Sequence, residues 1–191
     1  MIWTFLIYCF IVTVTPGPTN IIILSTVQNV GVRPAMVFTY GSICGFGILL
    51  MSSAMLNVFF AQTVPHVMIY IQVIGTMYLL YLAYQVYNMS VPDQTQSHPI
   101  SSFGQGVLLQ IVNPKAVLFT LTLFPSFVLP YNDSIFILSV TVITVTLIGF
   151  ISFLIWVSFG AVFKELLRKY HRITNLMMAI FLMYAATMIW F

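Results

Sequence analysis

Nine charged residues are spread over a chain of 191, and their positions constrain the fold more than any motif does. They are Arg33, Asp93, Lys115, Asp133, Lys164, Glu165, Arg168, Lys169 and Arg172. Between them lie five uncharged stretches of 19 residues or more. A water-soluble domain carries about 25% charged residues, whereas here the share is 5%, with 61% hydrophobic residues and a mean hydropathy of +1.06. Such a chain cannot cover its surface with polar groups, so its solvent is lipid. An open sheet edge cannot exist in hydrocarbon, and an uncharged run as long as Ser134–Phe163 exceeds any strand, so the spans are helices.

A spanning helix needs about 20 apolar residues. That ruler gives an all-α polytopic membrane protein of six transmembrane helices, over Ile2–Val27, Pro34–Phe60, Val67–Met89, Phe103–Val128, Ser134–Phe163 and Ile173–Phe191. The loops after the first, third and fifth spans hold Arg33 and the four cations from Lys164 to Arg172, and the opposite side holds none. By the positive-inside rule both termini lie outside. Trp3 and Trp190 suit the outer boundary. No basic n-region or small-residue cleavage site precedes the first span, which is expected to be retained. The polar segment 90–102 divides the chain into two three-helix units, 1–89 and 103–191, with the linker cytoplasmic. Three is odd, so similar halves insert with opposite orientation, the inverted-repeat plan of many secondary transporters. Pro18 and Pro114 share an offset of 96 residues with Pro34 and Pro130, which supports the repeat weakly, since nine prolines are present.

Two spans are interrupted. The first contains Thr15-Pro16-Gly17-Pro18-Thr19-Asn20, and the fourth contains Gln110-Ile111-Val112-Asn113-Pro114-Lys115. Proline removes an amide donor and frees the carbonyl four residues back: those of Val12 and Val14, and that of Gln110. Each restarted helix turns its N-terminal amides toward the gap. The two spans run antiparallel, so the breaks can meet near mid-membrane. A small zwitterion fits there, its carboxylate at the helix starts and its ammonium at freed carbonyls and the amides of Asn20 and Asn113. The competing reading is that the prolines only kink the helices; two broken spans, each beside an asparagine, argue against it.

Lys115 is the only charged residue within a span. At ~1.5 Å per residue it stands roughly 18 Å from Phe103 and ~20 Å from Val128. Its side chain reaches about 6 Å, too little to snorkel fully to either surface. A cation left at the centre costs at least ~2.5–3.5 kcal/mol. No carboxylate lies in any span, so the alternatives are an anionic group on a substrate, a neutral amine, or a lysine held by Gln110, Asn113 and water. The same absence disfavours a dicationic substrate and points to a neutral amino acid.

Gly41, Gly45 and Gly47 in the second span, with Gly104 and Gly106 at the start of the fourth, permit close helix approach and read as packing against the first and fourth spans. Cys9 and Cys44 read as packed thiols. The basic patch lacks aromatic platforms and suits a lipid-facing loop rather than nucleic acid. Metal-ligand clusters, phosphate loops, catalytic carboxylate pairs and nucleophile triads are missing, which leaves an intramembrane enzyme little support and implies no cofactor and no metal.

These motifs resemble the lysine exporter (LysE/RhtB) family of bacterial amino-acid efflux carriers. Pro16-Gly17-Pro18, the Gly41/Gly45/Gly47 series and the run from Phe103 to Asn113-Pro114-Lys115 carry the resemblance, which covers essentially the whole chain. Thr19 stands between Pro-Gly-Pro and Asn20, a departure from a common family pattern. Phe127-Val128-Leu129-Pro130 and the short last span look most like the cysteine and O-acetylserine exporter subgroup. The resemblance implies multi-pass insertion in the bacterial cytoplasmic membrane, export driven by protons, and often a homodimer. The expected function is thus a secondary exporter of a neutral amino acid or derivative by proton antiport. Lys115, Asn113, Asn20, Thr19 and Gln110 are its expected substrate-binding residues, Pro16, Gly17, Pro18 and Pro114 its hinges, and Lys115 its coupling group. The alternatives are export of another amino acid, such as homoserine, threonine or leucine, and a non-transporting membrane accessory protein.

Overall fold

A computed structural model describes residues 2–59, 64–88, 102–131 and 134–188. Among them nine helices and no strand form: α1 Ile2–Val14, α2 Pro18–Asn29, α3 Val32–Phe59, α4 Val64–Tyr87, α5 Phe103–Val112, α6 Pro114–Phe127, α7 Ile135–Val162, α8 Lys164–Lys169 and α9 His171–Met188. α3 and α7 are long and apolar enough to cross a bilayer alone. The pairs α1–α2 and α5–α6 qualify together, bent by 50° and 59°. The chain is an all-helical, multi-pass membrane protein. The 90–102 linker (apart from Ser102) and Trp190 lie outside the described residues.

Each bend sits at a proline that opens the second helix. Pro18 begins α2 behind an extended Gly17, and Pro114 begins α6 behind Asn113. The missing proline N–H would be unpaired at this position in any helix, so each break costs little where the new helix starts. The second Pro pair does not occupy equivalent places: Pro34 lies within the first turn of α3, and Pro130 lies in the turn after α6. Between α2 and α3 the reversal needs only two residues, because Gly31 adopts φ +128, open to glycine at little cost. The stretch expected as a basic loop folds instead as the short helix α8, and α9 starts early enough to include Arg172.

α3 lies along α5 and α6, α7 lies along α1 and α2, α3 meets α7, and α4 meets α9. The tightest approach is between α3 and α5. A Cβ on Gly41 would stand 2.8 Å from the Phe103 carbonyl carbon and overlap its oxygen. One on Gly106 would stand 2.7 Å from the Ser42 nitrogen, and one on Gly45 2.8 Å from the Val107 oxygen. These glycines let two backbones touch. Gly104 and Gly47 are elsewhere. Gly104 is two residues from Gly106, hence on nearly the opposite helix face, and a Cβ there meets nothing within 4 Å. Gly47 faces Thr146 of α7 at ordinary distance. Of the thiols, Cys9 is buried but Cys44 is exposed: an apolar stretch in lipid does not distinguish core from lipid-facing positions.

Two apolar cores flank the middle of the molecule. One gathers around α2, with Ile22, Ile23, Leu82, Phe153 and Leu182. The other lies between α1, α3, α6 and α7, with Phe46, Leu50, Leu123 and Phe124. All twelve residues of α2 are buried, among them Thr19, Asn20, Ser25, Thr26, Gln28 and Asn29. Polar groups at such depth in a membrane protein face the protein interior or water and mark function.

Candidate functional site

The two helix breaks meet at the seam between these cores, and the side chains of Thr19, Asn20, Gln110, Asn113 and Lys115 converge there. Thr19 Oγ1 donates to Gln110 Oε1 at 2.7 Å and accepts from Asn113 Nδ2 at 3.1 Å. Asn113 Oδ1 accepts from the Lys115 backbone N–H at 3.1 Å, capping the start of α6. One of the α6 amides expected to receive a carboxylate is therefore already occupied by this side chain. The Lys115 ammonium crosses to the other break and donates to the Thr15 carbonyl at 2.6 Å. Asn20 Nδ2 donates to the same oxygen at 2.9 Å and to the Thr13 carbonyl at 3.2 Å.

The carbonyls presented to the gap differ from those expected by proline register. Val14 O accepts from the Trp156 indole N–H at 3.0 Å, and Gln110 O from the Asn113 amide in a tightened last turn. Helix α1 ends at Val14 and residues 15–17 leave the helix, so the Thr13 and Thr15 carbonyls face the asparagine and lysine instead. Gly17 matters sterically rather than conformationally. Its φ of −159 is open to any residue, but a Cβ would lie 3.0 Å from Lys115 Cδ and 3.3 Å from Nζ. Glycine makes room for the lysine stem.

Thr13, Ser152 and Trp156 join the site without a signal that isolated them in the sequence. Thr13 Oγ1 and Ser152 Oγ lie 2.8 Å apart, linking α1 to α7. An indole N–H within an apolar span needs an acceptor, and that requirement was the available clue to Trp156. Trp156→Phe should cost ~1–3 kcal/mol by leaving the Val14 carbonyl unpaired, read as a lowered Tm in detergent with the breaks no longer pinned to α7.

A small cavity of about 40 Å³ lies among these groups, bounded by Thr13, Asn20, Gln110 and Lys115 on polar sides and by Phe46 and Phe153 on apolar ones. Asn20, 3% exposed, lines it, and its Oδ1 is buried with no hydrogen-bond donor. Buried acceptors are seldom left unpaired in native proteins, so this oxygen marks a place for a donor from a ligand or water. A second cavity of about 550 Å³, open to the protein surface, adjoins Lys115 and is lined by Tyr8, Ile21 and the exposed Leu118, Phe181 and Tyr184 among others. Among the described residues no three His, Cys, Asp or Glu side chains gather as a metal site.

Residues 10–191 match the family described as LysE type translocator. Among curated proteins, the chain is 32% identical over 190 residues to a cysteine/O-acetylserine efflux protein of Klebsiella pneumoniae, covering 99% of this chain and 96% of that one. It is 31% identical over 191 residues to the protein of the same description from Escherichia coli strain K12, covering 99% and 95%. No solved structure matches.

Proposed function

The chain belongs to the LysE-type translocator family, and from that premise we propose that it exports a small neutral amino acid, cysteine or O-acetylserine as in its relatives, from the cytoplasm by proton antiport. It is a transporter rather than an enzyme. The observation that carries the substrate reading is the meeting of both helix breaks around one ammonium, Lys115 Nζ, beside an undonated Asn20 Oδ1. An α-amino acid offers the complement: a carboxylate for Lys115 and an ammonium for Asn20 Oδ1 and the Thr13 carbonyl. Thr19, Gln110 and Asn113 hold these groups in register across the two halves. Pro16, Gly17, Pro18 and Pro114 are the points about which the half-helices reorient. Lys115, the only charged residue within the six spans read from the sequence, is the coupling group.

The architecture we assign is six spans in two inverted repeats, 1–89 and 103–191, with the linker cytoplasmic and both termini outside, in the bacterial inner membrane. The reciprocal packing supports it: α3 of the first half lies on α5–α6 of the second, and α7 of the second lies on α1–α2 of the first. Two-fold related units must make such swapped contacts in pairs. The carrier is assigned as a homodimer on the family resemblance.

Efflux of a labelled panel of neutral amino acids from overproducing cells tests the substrate. Single cysteines at positions 15–20 and 110–116 test the mechanism. Labelling from one side without substrate and from the other with it is expected; uniform protection from both sides is the result for a packed, non-transporting protein.

A further inference from the structure

Resting on the exporter reading, we propose that the substrate site is divided by Lys115 into an inner chamber for the amino-acid headgroup and an outer chamber for the side chain. On this view the outer chamber sets which side chains are accepted. The two cavities share Val12, Gly17, Lys115 and Phe119, which form a wall common to both. The inner cavity, at about 40 Å³, holds about three water-sized groups. That is enough for an ammonium and its neighbours and too little for a whole amino acid. The rest of the molecule must extend beyond it, and past Lys115 the shared wall opens into about 550 Å³.

The chemistry changes across this partition. Inside, Thr13, Thr19, Asn20, Gln110 and Asn113 supply donors and acceptors, with Asn20 Oδ1 unpaired. Outside, Ile21, Leu118, Phe119, Phe181 and Tyr8 present apolar surface, with Thr122 and Tyr184 at the polar minority. A carboxylate at Lys115 Nζ, an ammonium at Asn20 Oδ1 and a side chain directed outward satisfy both chambers at once. The polar chamber then demands a free α-amino group, while the wide apolar one tolerates uncharged side chains of varied length, including an ester or a thioether. A cationic side chain finds no counter-charge there, since the one charged residue lining it is Lys115.

Transport into inverted vesicles tests the division, with cysteine and O-acetylserine as short and long probes. Leu118→Trp, which fills the outer chamber, is expected to raise the KM for O-acetylserine at least tenfold relative to that for cysteine. Phe181→Ala, which enlarges it, is expected to shift the same ratio the other way and admit a bulkier probe such as S-benzylcysteine. N-acetylcysteine, lacking the ammonium, should fail in every variant. Because the readout is a ratio within one preparation, reduced folding of a variant does not mask it. If both KM values move together in both variants, or neither moves, the outer cavity is filled by lipid or a second copy and the division is overturned, with the exporter reading intact. If the unaltered protein moves no amino acid, the exporter reading itself fails.

Discussion

Replacing Lys115 by methionine is expected to cut efflux about 30-fold or more while leaving the protein folded, and even slightly more stable. The two halves of that result have separate causes. Among the described residues the ammonium is held by a neutral backbone carbonyl, Thr15 O, and by no carboxylate. A cation so placed costs at least ~2.5–3.5 kcal/mol on insertion, and methionine removes that cost with little change of volume. Thr15 O is not orphaned, since Asn20 Nδ2 still donates to it. Transport, by contrast, loses the charge that meets the substrate carboxylate. Removing one partner of a desolvated charge pair costs ~2–5 kcal/mol, which is about 30-fold to more than a thousandfold in rate or affinity. Lys115→Met should also flatten the pH dependence of efflux in vesicles. Substantial residual transport with an unchanged pH profile would remove Lys115 from the coupling role.

The second large effect concerns three glycines that look alike in sequence. Gly41→Ala and Gly106→Ala each drive a methyl into the backbone of the facing helix, onto the Phe103 carbonyl and onto the chain between Phe38 and Ser42. Backbone cannot rotate aside as a side chain can. Both changes should therefore exceed the ~1–3 kcal/mol typical of overpacking, seen as a large fall in Tm in detergent and in yield. Gly104→Ala is the control. Its added methyl meets open space, and alanine favours the helix by ~1 kcal/mol over glycine, so this variant should match or exceed the parent. Equal losses in all three would show that the α3–α5 contact is not set by these positions.

The sparse charge and the proline placement made the helical, multi-pass character and the two broken helix pairs readable from sequence, because both follow from one-dimensional rules about lipid and missing amides. The breaks at Pro18 and Pro114, and the convergence of Thr19, Asn20, Gln110, Asn113 and Lys115, followed from spacing and antiparallel geometry. The carbonyls facing the gap did not. Proline register names acceptors in an unbroken helix, and once α1 stops at Val14 the following residues leave that register, so Trp156 and Asn20 redistribute the acceptors. Gly104 failed for a different reason. A glycine pair two residues apart straddles opposite faces of a helix, and only the partner's position decides which one is in contact. Cys44 shows the same limit, since hydrophobicity is equal on the lipid side and the core side.

The complete enclosure of α2 bears on how the protein is made. A half-helix carrying Gln28 and Asn29 cannot rest stably against acyl chains, and its Gln28 side chain is answered from α9, where Asn175 accepts at 3.1 Å. The ribosome delivers that answer 147 residues later. During synthesis Gln28 therefore lacks this partner until α9 emerges, and a nascent chain cut short before α9 is expected to meet quality-control proteases with that amide unshielded.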